Sequence, residues 1–297
     1  MPRPLLDKQS QLNRSTRGQW PLYASHRQEI ERLLVPKDHT GRLCVLGAGN
    51  CNDLDLNWLS RVYREIHLAD IDASALSRAV AFQKVGHITG LRLHAPIDLT
   101  GIGDIARNWK TTEPAVPQEQ ACLGNLAEAP ARITADLGRD FNTVLSPCVL
   151  SQLLTPLREA LGEDNAGFAR LRAALCEAHL KLMINLLASG GRGVFVCDVL
   201  SSTSFPELSR VPKDRLGDFM RARISSGRYF LGLDPRSILC LLRQHPQIAP
   251  HVTDVRPVSP WLWHLGLDRS FLVYGVCFRR GAMPSAVAMP RNLEFFM

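Results

Sequence analysis

Lysine is scarce in this chain. Only six of its 35 basic residues are lysines, so the formal net charge of +7 comes mainly from arginine. The arginines are scattered among acidic residues, and no basic motif is interleaved with aromatic side chains as in nucleic-acid-binding proteins. A solvated surface explains this composition more simply than a nucleic-acid platform does. The composition therefore favours a small-molecule partner, with nucleic acid not excluded.

The eight cysteines and nine histidines lack the spacings that metal and redox sites require. No two cysteines form a C-x-x-C motif, and no histidine pair has a third partner at ligand spacing, so we expect no metal site. The N-terminal residues lack the apolar core of a secretion signal, and no apolar run approaches membrane-spanning length. We therefore expect a cytoplasmic protein with reduced cysteines and no membrane partner. The oligomeric state is not determined by the sequence.

Apolar residues recur at spacings that predict alternating strands and helices. The predicted strands are 42–47, 65–70, 91–98, 141–145 and 193–199, and the predicted helices are 20–34, 53–61, 73–84, 168–187 and 235–243. Two further strand-like runs, 252–258 and 271–278, are joined by a short segment holding Trp261, Trp263 and His264, so they should pair antiparallel. We therefore predict an α/β fold, a three-layer Rossmann-like sandwich with a mostly parallel seven-stranded sheet and a C-terminal antiparallel hairpin.

Composition also predicts how the chain is divided. Residues 1–18 are polar and basic and are expected to form a flexible arm before a single domain over 19–280. Residues 281–297 have no clear pattern and are expected to form a tail. The stretches 104–137 and 201–233 break the alternation, and we interpret them as loop-rich insertions. Such insertions usually shape the substrate side of a domain.

The glycine turn after the first predicted strand is the strongest sign of function. The strand ends at Leu46, and Gly47-Ala48-Gly49-Asn50 follows, where two glycines permit a tight turn and a close approach to a ligand. About twenty residues later the second strand ends at Asp70, the distance at which such folds hold the two hydroxyls of a ribose. Asp72 is better placed to cap the next helix. The pattern therefore predicts a nucleoside site.

Several motifs in order resemble those of the class I S-adenosylmethionine-dependent methyltransferases, over roughly residues 20 to 280. The glycine turn is similar to the first motif, whose backbone would cradle the methionine part of the cofactor. Asp70 and Ile71 are similar to the second, which would hold the ribose and lie against adenine. The ends of the third and fourth strands resemble positions beside the adenine amino group and the sulfonium, and they contribute Asp98, Leu99, Ser146 and Pro147. The resemblance implies S-adenosyl-L-methionine as cofactor and methyl transfer to an acceptor, with a small molecule favoured.

Two positions depart from the family pattern. Val45 stands where many members carry an acid, and Cys51 stands where they carry a third glycine. The amino group of the methionine part then needs another partner, for which Asp53, Asp55 or a residue of the 20–27 helix is available. A catalytically inactive scaffold with this fold is therefore an alternative.

A nicotinamide-dependent oxidoreductase is a second alternative, because a glycine turn followed by a strand-end acid also describes its site. Its G-x-G-x-x-G motif requires glycine where this chain has Asn52. Catalytic residues are not assigned by the sequence. Should the acceptor need to lose a proton, the candidate bases are Asp198, Tyr229 and His264.

Overall fold

The computed structural model describes residues 4–35, 41–103, 116–227, 229, 233–266 and 269–281. In chain order the strands are β1 (Arg42–Leu46), β2 (Glu65–Ala69), β3 (Leu91–His94), β4 (Phe141–Pro147), β5 (Leu187–Ser201), β6 (Val252–His264) and β7 (Ser270–Arg280). They form one seven-stranded sheet in the order β3-β2-β1-β4-β5-β7-β6. β1 to β5 are parallel, and β7 pairs antiparallel with both β5 and β6. The predicted fold class is confirmed.

Helices connect the parallel strands and cover the sheet. They are α1 (Pro4–Ser15), α2 (Ala24–Leu34), α3 (Leu56–Val62), α4 (Ala73–Phe82), α5 (Val116–Leu137), α6 (Val149–Leu161), α7 (Ala166–Leu186), α8 (Leu216–Ser225) and α9 (Pro235–Gln244). Polar side chains fix several of their starts: Asp72 accepts a hydrogen bond from the Ala75 N–H, and Asn165 accepts one from Gly167. The cap predicted at Asp72 is confirmed. No helix in the described ranges is long and apolar enough to cross a membrane.

Alternate residues of the central strands pack against opposite layers of helices. In β1, Leu43 and Val45 lie in a buried cluster with α2, α3 and α4, whereas Cys44 and Leu46 lie in a cluster with α5, α6 and α7. Full burial of a side chain of leucine size contributes about 1.5–3 kcal/mol. The central strands are therefore packed on both faces. The carboxyl ends of the parallel strands lie at one edge of the sheet.

The N-terminal segment differs from the flexible arm predicted for residues 1–18. Its described part forms α1, and polar contacts hold this helix to the domain. Gln9 Nε2 donates to the Gln152 carbonyl at 3.3 Å, and Asn13 Nδ2 donates to Asp72 Oδ2 at 3.2 Å. Between Asp7 and Ser15 the only apolar residue is Leu12, which is too little to reveal a helical period in the sequence.

The first predicted insertion is also more regular than expected. Residues 116–137 form α5, while 104–115 lie outside the described residues. The threonine and proline cluster at 111–117 indicates a loop, yet Pro117 lies in the first turn of α5, where proline is tolerated. Buried side chains recur along α5 at helical spacing, at Cys122, Leu126, Ala129, Ile133 and Leu137. This apolar periodicity is a better guide to the helix at 116–137 than the proline content of the region.

The second predicted insertion and the C-terminal hairpin need smaller corrections. Within 201–233 the structure has α8 and two short 3-10 turns, Pro206–Arg210 and Lys213–Arg215. The segment with Trp261, Trp263 and His264 belongs to β6 and does not connect two strands. The tail expected over 281–297 lies outside the described residues except for Gly281.

Candidate functional site

The chain turns sharply at the end of β1. Gly47 and Gly49 have φ values of +72° and +49°, a conformation that residues with a side chain rarely adopt. A Cβ atom at Gly47 would lie 2.2 Å from Val149 Cγ2 on α6, and one at Gly49 would lie 2.9 Å from Asn13 Oδ1 on α1. Gly47 therefore requires glycine, whereas at Gly49 a side chain would be strained and would displace the Asn13 amide.

Asp70 directly follows β2 and reaches this turn. It is 7% exposed, and its Oδ2 accepts a hydrogen bond of 2.8 Å from the Gly49 N–H. Its Oδ1 accepts one of 2.8 Å from the Asp72 N–H. Burial raises the pKa of Asp70, and these two N–H groups oppose that rise. Each carboxylate oxygen has two lone pairs, so Asp70 can accept further hydrogen bonds from a ligand.

A cavity of about 410 Å³ lies above the carboxyl ends of β1, β2, β4 and β5. Its volume falls in the range of about 300–1,000 Å³ that is usual for small-molecule sites. It extends from Asp70 past Cys148, which follows β4, to Asp198 on β5. Five of the predicted site residues line it: Gly47, Ala48, Gly49, Asn50 and Asp70.

The other predicted site residues are placed elsewhere. The Asp98 carboxylate accepts hydrogen bonds from the N–H groups of Thr100 and Gly103 in its own turn. Ser146 is buried, and its hydroxyl pairs with His179 Nε2 on α7 at 2.7 Å. The remaining three that do not line the cavity are Ile71, Leu99 and Pro147. Contacts of these five residues with a ligand stay predictions.

Helix α1 supplies a wall of the cavity that the sequence did not predict. Asn50 Nδ2 donates to the Asn13 carbonyl at 2.6 Å and to the Thr16 hydroxyl at 3.2 Å. Asn52 Nδ2 donates to the Thr16 carbonyl at 3.0 Å. Gln9 also lines the cavity. In the sequence, only the side-chain amides of Asn50 and Asn52 indicated that another segment covers the glycine turn.

Two further carboxylates, Asp53 and Asp198, line the cavity, and Asp198 marks its end on β5. Ser151 Oγ donates a hydrogen bond of 2.6 Å to Asp198 Oδ1. Asp53 Oδ1 is buried, and among the described residues it has no hydrogen-bond partner. Asp55, the other acid considered from the sequence, instead caps α3 by accepting from the Trp58 N–H.

Burial dominates the electrostatics of these two acids. It raises the pKa of Asp198, and it raises that of Asp53 to about 7. Arg27 lowers the pKa of Asp53 and Asp198 raises it further. Because a group with a pKa near neutrality exchanges protons readily at physiological pH, Asp53 is suited to acid–base chemistry.

Aromatic side chains complete the same end. Tyr23 and Trp263 line the cavity with ring centroids 4.8 Å apart. His26 stacks on Trp263 at 4.6 Å, and its Nδ1 accepts a hydrogen bond of 3.0 Å from Trp261. Burial lowers the pKa of His26 to about 3, so it is neutral at physiological pH. The Trp263 indole N–H is buried and has no partner among the residues described.

The three candidate bases are not equally placed. Asp198 lines the cavity. Tyr229 packs against the core cluster of α5, α6 and α7. His264 is exposed, and its Nδ1 lies 2.8 Å from Ser270 Oγ. The geometry therefore leaves Asp198, together with Asp53, as an acid that a ligand in this cavity can reach.

No family model matches this chain, and no curated protein matches its sequence. Among solved structures it is similar to the N-methyltransferase NodS from Bradyrhizobium japonicum WM9 in complex with S-adenosyl-L-homocysteine, at 13% identity, 88% of this chain and 89% of that one, with a TM-score of 0.46. An O-methyltransferase family protein from Burkholderia thailandensis is similar at 12% identity over 92% and 60%, with a TM-score of 0.45. A putative methyltransferase from Bacillus halodurans C-125 is similar at 10% identity over 87% and 100%, with a TM-score of 0.43.

Proposed function

We propose that this protein is an S-adenosyl-L-methionine-dependent methyltransferase. The observation that carries the proposal is the junction of the glycine turn with Asp70, where a turn N–H donates to the carboxylate and both line one cavity. The motifs that resemble class I methyltransferases imply this junction. They also imply the mostly parallel sheet with its terminal hairpin.

The residues present suit this cofactor. Asp70 has lone pairs available for the two ribose hydroxyls, and the glycine turn lines the cavity beside it. When bound, S-adenosyl-L-methionine supplies a methyl group on a positively charged sulfur. Asp53 and Asp198 provide negative charge in the same cavity. The charges of cavity and cofactor are therefore complementary.

Alignment accounts for most of the expected catalysis. Methyl transfer is an in-line displacement, and orientation alone provides effective molarities of order 10⁵ M or more. Asp70 would fix the ribose, and the glycine turn would hold the amino-acid part through its backbone. Helix α1 covers the turn and would exclude water from it. Each of these groups acts by positioning.

We further propose a small-molecule acceptor in a reducing compartment. The cavity is walled by α1 and has a volume of about 410 Å³, which limits what it holds beside a cofactor. All eight cysteines are unpaired thiols, and seven are buried. Unpaired thiols are usual in the cytoplasm, which is the location we propose.

Calorimetry of cofactor-product binding tests the function. Asp70→Ala should weaken the binding of S-adenosyl-L-homocysteine at least about 100-fold, because two hydrogen bonds to a charged group contribute about 1.5–3 kcal/mol each. Asp136→Ala, which alters an exposed aspartate on α5, should leave the affinity unchanged. Equal affinity of the wild type and Asp70→Ala would refute the ribose assignment. Binding of reduced nicotinamide adenine dinucleotide in place of the homocysteine compound would favour the oxidoreductase alternative.

A further inference from the structure

The cavity has a second end, which we name the carboxylate end and define by Asp53, Asp198, Tyr23 and Trp263. Asp70 follows β2, whereas Asp198 lies on β5, three strands away in the order β2-β1-β4-β5. Since neighbouring strands are about 4.8 Å apart, the two strands are separated by roughly 14 Å. A nucleoside held at Asp70, with its amino-acid part on the turn after β1, leaves the carboxylate end to a second ligand.

The protein balances the negative charge at this end only in part. Arg27 lowers the pKa of Asp53 and Arg269 lowers that of Asp198, but within the described ranges neither arginine forms an ion pair with these acids. His26 Nε2 lies 3.5 Å from Asp53 Oδ1. The Arg27 guanidinium donates to the backbone carbonyls of Trp20 and Asn52. Arg269, at the rim of the cavity, is exposed. Carboxylates that are largely removed from water and have no ion-paired lysine or arginine among the described residues favour a ligand that carries positive charge.

The aromatic side chains favour the same kind of ligand. Tyr23 and Trp263 present rings to the cavity beside the carboxylates, and ring faces attract alkylammonium groups. Trp263 is 9% exposed, and it lines the cavity while its indole N–H is buried. Neutral His26 backs the Trp263 ring and adds no positive charge.

We propose that the carboxylate end binds the methyl acceptor, and that the acceptor is a primary or secondary amine that arrives as an ammonium ion. This assignment rests on the proposed function. Asp53 and Asp198 accept hydrogen bonds from the ammonium group, and the rings of Tyr23 and Trp263 contact its carbon skeleton. The same charges disfavour an acceptor whose reacting end is a carboxylate or a phosphate.

Asp53 receives the proton that the ammonium ion must lose. Ser151 already donates to one oxygen of Asp198. The Asp53 side chain is 21% exposed and lines the cavity, while its Oδ1 is buried 3.5 Å from His26 Nε2, so its other oxygen is the one assigned to the ligand. The N–H bond breaks, the proton moves to Asp53, and the nitrogen keeps the electron pair. That pair forms the new N–C bond as the C–S bond breaks and its electrons remain on sulfur. The products are the methylated ammonium ion and S-adenosyl-L-homocysteine, and Asp53 then returns its proton to solvent.

Paired probes test the assignment. The protein saturated with S-adenosyl-L-homocysteine is titrated calorimetrically with 2-phenylethylamine, cyclohexylamine and butylamine, and with the alcohol of each skeleton. We expect at least one amine to bind about tenfold more tightly than its alcohol. Asp53→Asn and Asp198→Asn, which keep the side-chain shape, should reduce that preference below about threefold. Asp214→Asn, at an exposed position, should preserve it. With S-adenosyl-L-methionine, the preferred amine should give an N-methylated product detectable by mass spectrometry.

The outcomes separate this assignment from the proposed function. If the wild type fails to bind S-adenosyl-L-homocysteine, both the proposed function and the amine assignment are overturned. Intact binding of that compound with no amine preferred over its alcohol overturns the amine assignment alone. A loss of S-adenosyl-L-homocysteine affinity beyond about tenfold in Asp53→Asn also overturns it, because the carboxylates would then serve the amino-acid part of the cofactor.

Discussion

Asp53 makes the stability of this protein depend on pH. Burial raises its pKa from 3.8 to about 7, with Arg27 opposing and Asp198 adding to the rise. Between about pH 4 and 7 the folded protein therefore binds more protons than the unfolded chain, and its stability falls as the pH rises through that window. Asp53→Asn removes this titration. The variant should exceed the wild type by about 1–3 kcal/mol at pH 8, with the difference shrinking towards pH 4.

Urea denaturation at pH 4, 6 and 8 measures this difference. Asp214→Asn changes an exposed acid and should follow the wild-type pH dependence. Parallel curves for Asp53→Asn and the wild type would show that Asp53 is not a buried ionisable group in the folded protein.

Gly47 and Gly138 separate two effects of adding a side chain. Both have positive φ, +72° and +85°, but a Cβ at Gly47 would meet Val149 at 2.2 Å, while one at Gly138 would meet nothing within 4 Å. Gly138→Ala should cost about 1–2 kcal/mol from backbone strain. Gly47→Ala should cost about 1–3 kcal/mol more, because α6 must move. Equal unfolding midpoints for the two variants would contradict the close approach of α6.

Local spacing predicts only part of the site at this scale. Gly47, Gly49 and Asp70 could be predicted from the sequence, because a strand, a turn and the next strand lie within thirty residues of each other. Asp53 and Asp198 meet only through the fold, so no sequence spacing relates them. Asp98 was predicted from a strand end, yet its carboxylate is engaged within its own turn.

Helix α1 is held to the domain by few contacts, which makes it the element expected to open first. Gln9 and Asn13 donate to the domain, Asn50 donates to the Asn13 carbonyl, and the exposed ion pair between Lys8 and Glu159 contributes little. Its amides should exchange with solvent faster than those of α7, and binding of S-adenosyl-L-homocysteine should slow them at least about tenfold. Hydrogen exchange with mass spectrometry measures both. Exchange in α1 that is unchanged by a ligand seen to bind in calorimetry would mean that α1 does not cover the site.

Elements were predictable where apolar periodicity is strong. The parallel strands and α7 follow from buried apolar runs, and so does the hairpin, because too few residues separate its strands for a crossover helix. Helix α1 could not be predicted this way, because polar side chains hold it. Helix α5 was obscured by the prolines at its start and within it, Pro117 and Pro130, although Cys122, Leu126 and Ile133 carry its periodicity.

The carboxylate end is a property of the whole molecule. His26 and Trp261, joined by a hydrogen bond, are 235 residues apart in sequence. β6 pairs with β7 as the edge strand of the sheet, and it carries Trp263 to the ring of Tyr23. The chemistry that we assign to the acceptor therefore depends on the C-terminal hairpin as much as on the glycine turn.

The net charge of +7 should not make this protein a nucleic-acid-binding protein. Many of its arginines are paired with acids, as in Arg42–Glu65, Arg170–Glu119, Arg223–Glu207 and Arg256–Asp254. Paired charges release few counterions, so we expect only non-specific binding, with Kd of about 10⁻⁴–10⁻⁶ M and a loss of binding between 50 and 200 mM salt. Fluorescence anisotropy with labelled single- and double-stranded oligonucleotides measures it, with and without S-adenosyl-L-homocysteine. Submicromolar binding at 200 mM salt would instead favour a nucleic-acid acceptor. Because α1 walls the cavity, such an acceptor would have to insert an extruded base into it.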